Sequence, residues 1–338
     1  MTGVPEDIIR IALDAMGGDH GPVVTVPAAL KAVCSGGVAI ALVGDEAALQ
    51  DELDKYDTPA KQLVQVMPSD GVVEEGESPA RAFRSKPNAS VFVSAGAVRM
   101  GKAAGFVSMG STGASIAAAT VVFGTLEGID RGALGGPVVG YSPNTIVIDL
   151  GTNVDTRPGL LVDFAALGNV MSKLIYKNEN PRVALLSVGS EKGKGNALVK
   201  EATDLLSSTN LNFIGNIEPN DLPFDKAEVV LCDGFVGNVI LKLTEGLGDA
   251  IVGHVKEVLG ESAESEKLSS EIFERMNILE AFGGGPLMGV KGLAIVGHGA
   301  SEVNAVASAI GTAKFVVETG LIEAQQGELD RIRAEVSE

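Results

Sequence analysis

The sequence predicts an α/β fold on a largely parallel sheet, and three observations predict it. Short aliphatic runs alternate with helix-length segments along the chain, the pattern of right-handed βαβ units. The clearest of these runs end in glycine-rich turns, and glycine is abundant, at 43 of 338 residues. Aromatic residues are scarce, with no Trp and three Tyr. The core must then be Val, Ile, Leu and Ala, the usual filling of a parallel sheet covered by helices.

The elements follow in order. Ile8 to Asp14 (IIRIALD) reads as the first strand, followed by the turn Ala15 to Pro22 and a helix from Val23 to Ala32. Val38 to Gly44 is a strand and Glu46 to Lys55 a helix, and Leu63 to Met67 is a third strand. Residues 70–88 are polar, with Arg81, Arg84 and Lys86 at their centre. Ser90 to Lys102 fits a helix better than a strand, because Gly105 to Met109 is the better strand and needs a crossover before it. Ala103 to Leu126 carries no charge over a length that could span a bilayer. Its Gly, Ser and Thr content divides it instead into a buried strand, a turn and a helix. Thr145 to Leu150 is a strand, with a helix from Leu160 to Tyr176. Arg182 to Val188 is a strand, with a helix ending near Ser208. Asn212 to Ile217 and Glu228 to Asp233 are strands, and a helix after Gly237 runs to about Leu259. Leu293 to Val296 is the last strand, before a helical C-terminal part. Residues 255–282 are charged and lack a strand partner, so they read as a projecting helical pair. No Pro/Ser linker divides the chain, so residues 1–338 read as a single α/β catalytic domain.

Composition limits the function. A net charge of −18 argues against non-specific nucleic-acid binding and requires a local basic patch for any acidic partner. Cys34 and Cys232 fit no metal spacing and no disulfide framework, which suits a reducing compartment. Met1 to Arg10 has no apolar core of a signal peptide, so a cytoplasmic location is expected.

Ligands of open α/β sheets bind beyond the carboxyl ends of the strands, where these turns lie. In the first, Asp14 is an acid at the strand end and Gly17 and Gly18 lead into Asp19-His20, where His20 can carry a proton or bind a phosphate, or else be a solvated loop residue. In the second, Ser111, Thr112 and Gly113 open a helix, as either an anion site or an ordinary cap. The third, Gly189 to Asn196, resembles a P-loop. Gly189 is one residue too close to Gly193-Lys194, however, and Gly195 stands where Ser or Thr is needed, which opposes a Mg-nucleotide site. Lys194, or Lys192 in its place, can still neutralise a phosphate. In the fourth, Asp233 to Asn238, the asparagine is an N-cap or a donor to a carbonyl or phosphate oxygen, and Gly237 precedes it. Cys232 reads as a buried small residue rather than a nucleophile. A fifth turn carries His298. No metal-ligand spacing, nucleophile elbow or dinucleotide fingerprint is present.

Nine segments together carry a resemblance over nearly the whole chain. They are ALDAMGGDHGP (12–22), SMGSTGA (108–114), GIDRGAL (128–134), DLGTNVDTRPGLLVDFAALG (149–168), PRVALLSVGSEKGKGN (181–196), NFIGNIE (212–218), CDGFVGNVILK (232–242), GGGPLMGVKG (283–292) and GHGASEVNAV (297–306). In this order they resemble the PlsX family, the fatty acyl-ACP:phosphate acyltransferases. The resemblance implies a three-layer α/β/α fold similar to phosphotransacetylase and isocitrate dehydrogenase. It implies transfer of a long-chain acyl group from acyl carrier protein to inorganic phosphate, giving acyl phosphate for phospholipid synthesis, with no cofactor and no metal. Lys194, in the E-x-x-K-G-N motif, and Asn238, closing D-G-F-x-G-N, match the family's catalytic residues. Asp14, Gly17, Gly18, His20, Ser111, Thr112, Gly113, Asn153, Lys192, Gly237 and His298 are the accompanying substrate or phosphate candidates. The family's implied partners are acyl carrier protein, a second copy in a homodimer and an acyl-phosphate-using glycerol-3-phosphate acyltransferase. Arg81, Arg84 and Lys86 are the candidate docking patch for the acidic carrier, or else a solvated helix face. The chain departs from the family at Ser111, where many members carry Asn, and in a shorter, more acidic 255–282. That region is linked in the family to peripheral membrane contact, and its glutamates oppose anionic lipid. Rival readings are a short-chain phosphotransacetylase, a dehydrogenase on the same fold, and a non-catalytic scaffold for lipid-synthesis enzymes.

Overall fold

A computed structural model describes residues 8–336. Residues 1–7, and with them most of the N-terminal stretch weighed as a signal peptide, lie outside the described part. In chain order the elements are β1 (Ile9–Asp14), α1 (Pro22–Ser35), β2 (Val38–Gly44), α2 (Glu46–Leu53), β3 (Val64–Pro68), α3 (Pro79–Ser85), α4 (Ser90–Arg99), β4 (Gly105–Ser108) and α5 (Thr112–Ala118). There follow β5 (Ala133–Gly136), β6 (Ile146–Ile148), α6 (Pro158–Ile175), β7 (Arg182–Leu186), α7 (Ala197–Ser207), β8 (Asn212–Ile217), β9 (Val229–Leu231), α8 (Gly234–Leu259), α9 (Ala263–Met276) and α10 (Ile278–Ala281). The chain ends with β10 (Gly285–Met288), β11 (Leu293–Val296), α11 (Val303–Thr319) and α12 (Leu321–Val336).

Where the sequence reads as a single domain, the chain divides into two compact units. Of the described residues, one unit comprises 8–128 and 282–322, the other 129–281 and 323–336. The chain passes between them without a linker, which is why composition gives no sign of the division.

In the first unit the strand order is β3-β2-β1-β4-β11-β10. All neighbours are parallel except β10 with β11. The run β1 to β2 aligns Ile9 with Val38 through Asp14 with Val43, and β2 is buried along its whole length. Helices α1, α2 and α11 pack as one group and α4 with α5 as another. The uncharged 103–126 stretch is, as expected, strand, turn and helix.

In the second unit the order is β5-β6-β9-β7-β8, parallel except for β5 with β6. Helix α6 is apolar and long enough to cross a bilayer, but 72% of it is buried inside the protein, so its apolar faces serve the core. The helical pair differs from the expectation. It begins at Gly234, not Val255, because Asp233 caps α8 by accepting from the Val236 N–H. The 26-residue α8 reverses at Gly260 and packs along α9, so 255–282 holds only the last turn of the longer partner. Val239, Leu243, Leu247 and Ile251, spaced four apart on α8, are exposed.

Candidate active site

Parallel pairing sorts the glycine turns into two sets, one per unit. In the first unit β1, β4 and β11 are neighbours, so the turns after Asp14, Ser108 and Val296 leave the sheet at the same end. In the second, β6, β9 and β7 are neighbours, which gathers the turns after Ile148, Leu231 and Leu186.

The first set is tightly knitted. Asp14 is buried, and its Oδ2 accepts from the Ser108 hydroxyl at 2.8 Å. Its Oδ1 is buried without a hydrogen bond of good geometry. Desolvation raises the Asp14 carboxyl above its ordinary range, against the lowering pull of the Ser90 and Ser108 hydroxyls. A small cavity lies beside it, lined by Ser90, Ser108, Gly110 and Ser115 among others. Gly17 is pressed between this carboxylate and Gly110, where a Cβ would come within 2.8 Å of each. Gly18 packs on Met109 and the Gly299 carbonyl, which accepts from the Asp19 N–H at 2.9 Å. Thus Asp14 and Gly17 are placed inside the protein, as parts of the frame. His20 is exposed and 4.0 Å from the Glu302 carboxylate. His298 is also exposed, with its Nδ1 accepting from the Ala300 N–H. Ser111 caps α5 by accepting from the Ala114 N–H, and Thr112 and Gly113 are exposed in the first turn.

The second set holds Lys194 and Asn238. The Gly189–Asn196 loop follows β7 and turns through Gly193 and Gly195 at φ 95° and 97°, a region where a side chain would be strained. Asn196 then caps α7. Lys192 and Lys194 are exposed, and among the described residues neither ammonium meets a carboxylate within salt-bridge distance. The Lys194 stem lies against Gly189. After β9, Asp233 takes the capping role that the sequence left open for Asn238. Asn238 lies a turn further into α8, exposed, with its amide over Gly151. Gly237 is buried and its N–H bonds to the Asp233 carbonyl, so it offers no donor to a phosphate; its bareness lets Asp149 come close.

Asn153 needs the same correction. It is 1% exposed, its backbone N–H donates to Asp149 Oδ2, and its amide donates to Gly132 O and Asp149 Oδ2. It is a tie within the protein. The residue that organises this turn is Asp149, which is not among the residues expected from the sequence. An aspartate just past an aliphatic strand was the available signal. Cys232 is buried as expected. Burial, with Asp149 and Asp233 nearby, pushes its thiol far up, and its Sγ lies against the Asp149 carbonyl. Both cysteines are free thiols.

The basic patch is reduced. Arg81 and Arg84 are exposed on α3, but Lys86 pairs with Glu77 at 2.8 Å and donates to the Val72 carbonyl. Its charge is already answered.

The profile of a family described as fatty acid synthesis protein matches residues 9–324. A phosphate acyltransferase of Desulfitobacterium hafniense (strain Y51) is 40% identical over 336 residues, covering 97% of this chain and 99% of the relative. One of Elusimicrobium minutum is 39% identical over 322 residues, covering 93% and 94%. Among solved structures, a phosphotransacetylase from Streptococcus pyogenes aligns with a TM-score of 0.61 at 15% identity, covering 94% of this chain and 95% of the other. The EutD phosphotransacetylase from Staphylococcus aureus aligns at 0.58 and 17%, covering 93% and 94%. These two show a shared α/β fold, as the sequence predicted. Matched along nearly its whole length, the chain belongs to the fatty acid synthesis protein family, the PlsX family of acyltransferases.

Proposed function

We propose that the protein transfers a long-chain acyl group from the thioester of acyl carrier protein to inorganic phosphate, with Lys194 and Asn238 as the residues that touch the reacting groups. The observation that carries the reading is the pairing, in one unit, of an exposed lysine without a carboxylate partner, on the loop after β7, and an exposed amide near the start of α8, the helix that follows the neighbouring parallel strand β9. A phosphate oxygen bonds to the thioester carbonyl carbon, the C–S bond breaks, and the electron pair leaves on the pantetheine sulfur, which takes up a proton. The products are acyl phosphate and free carrier protein. Lys194 offsets the charge of the approaching dianion, and Asn238 donates to phosphate or to the developing oxyanion. Thiolate leaves readily, so His20 serves as a positioning group at most.

Support for a long acyl chain comes from the apolar side chains left in water on the loops after β6 and β7 and at the start of α8. Val188 is 84% exposed, Phe235 61% and Val154 58%. In this reading the enzyme is cytoplasmic and a homodimer, and the exposed apolar row on α8 supports a second copy or a lipid surface as its cover. Carrier docking falls to Arg81 and Arg84. Reversing both charges is expected to raise KM for acyl carrier protein, and an unchanged KM removes the patch. The test of the whole reading is incubation with long-chain acyl carrier protein and phosphate. Phosphate-dependent acyl phosphate is the expected product. Faster turnover of acetyl-CoA would favour a short-chain enzyme, and no turnover of either thioester would leave a scaffold.

A further inference from the structure

The best-bonded side chain near Asn238 is one that no reacting group touches. Asp149 follows β6 and is fully buried. Its Oδ1 accepts from the N–H groups of Leu134, Gly151 and Thr152 at 3.3, 3.2 and 3.1 Å. Its Oδ2 accepts from the Asn153 N–H at 2.6 Å and the Asn153 amide at 2.9 Å. Three successive backbone donors that could have faced an anion are therefore turned onto one carboxylate.

The same short segment is docked against the start of α8. The Asp149 N–H donates to the Cys232 carbonyl at 3.1 Å, and the Gly234 N–H donates to the Asn153 carbonyl at 2.7 Å. Gly237 lies so close to the Asp149 carbonyl that a Cβ there would overlap it. Gly151 lies beneath Asn238, where a Cβ would stand 2.9 Å from Nδ2. The turn that Asp149 fixes is thus the surface on which the Asn238 amide rests.

We propose that Asp149 is a positioning residue for the acyl transfer, acting through the Gly151–Asn153 turn to fix the Asn238 amide. The proposal rests on the reading of Asn238 as a donor to the reacting groups. The Asp149 carboxylate supplies acceptors alone to five donors. An amide in its place sets an NH2 against N–H groups, so the turn must shift and carry the Asn238 amide with it. A displacement near 1 Å in a reacting geometry lowers turnover by roughly 10²-fold.

The experiment is steady-state kinetics on the full-length chain with Asp149→Asn, Asn238→Ala and the double variant, folding being checked by circular dichroism. Expected for Asp149→Asn is a fall in kcat of about 10²-fold, with KM for phosphate and acyl donor within about threefold. The double variant should be no slower than Asn238→Ala alone, because the two act as a unit. A normal kcat in folded Asp149→Asn, a loss confined to KM, or a loss that multiplies onto Asn238→Ala overturns the proposal. Should Asp149→Asn not fold, Gly151→Ala replaces it, straining the turn at φ 136° and crowding the Asn238 amide while leaving the carboxylate in the sequence. The same kcat loss is expected, and normal turnover overturns the proposal. Wild-type turnover in Asn238→Ala sinks the reading of Asn238 and the proposal with it, an outcome distinct from the other failures.

Discussion

Each unit has a buried aspartate at the end of a strand, before a glycine turn, and the two aspartates are used differently. Asp14 in the first unit has a hydroxyl on one oxygen and no well-aligned donor on the other. Asp149 in the second holds five donors. Burial alone is costly to a carboxylate, and donors converging on it offset that cost. The same residue type at the same place in a βα turn is therefore a strained group in one unit and the knot of a rigid turn in the other. The rigid turn is the one that carries the exposed amide.

The largest effect expected is on rate. Lys194→Ala or Asn238→Ala should lower kcat by about 10²–10³-fold with unchanged far-ultraviolet circular dichroism. A similar loss from His20→Ala, in the first unit, would move the chemistry there and break the comparison. Next is stability, where one substitution should act with opposite signs. Asp149→Asn leaves buried N–H groups facing a donor and should cost about 1–3 kcal/mol in urea unfolding. Asp14→Asn should stabilise at neutral pH. The raised Asp14 carboxyl means that its protonated form is favoured by folding. Its contribution is full below the ordinary carboxylate value and is lost as pH rises through the raised one. Removing the titrating carboxyl should raise the Tm relative to wild type as pH rises toward neutrality, the gap closing as pH falls toward the ordinary carboxylate range. Equal signs for the two variants would dissolve the distinction. The smallest effect is at α5, where Ser111→Ala should cost about 0.5–2 kcal/mol as a lost cap and leave kcat nearly unchanged. A large fall in kcat would instead make Ser111 a substrate contact.

Much of the frame was legible from residues. Val38–Gly44 is a continuous aliphatic run ending at glycine and Val183–Leu186 a shorter one, and the structure places both strands within a residue or two of the expected bounds. The short strands ALGG at 133–136 and GPLM at 285–288 went unread, because glycine and proline weaken a strand signal and only pairing reveals them. Both make antiparallel pairs, which the βαβ pattern does not announce. In the candidate site, Lys194 and Asn238 could be named from motif and found exposed. Asn153 and Gly237 could be named, yet not told apart from ligand contacts, because their role lies in what they face. Asp149 carries only a weak local signal, an aspartate at the end of an aliphatic run. A carboxylate's worth depends on donors contributed by residues 134 and 151–153, and no local pattern lists them.

The order in which the chain emerges during synthesis gives the first unit's sheet a waiting time. Strand β4 is complete at Ser108, but its second neighbour, β11, begins at Leu293. At ~5–20 residues per second, roughly 10–40 s of translation separate them. Throughout that interval the ladder groups of β4 that β11 will pair stand open as an edge, the kind of surface that recruits other chains. Any chaperone that reaches it first has that long to keep a nascent half-sheet to itself.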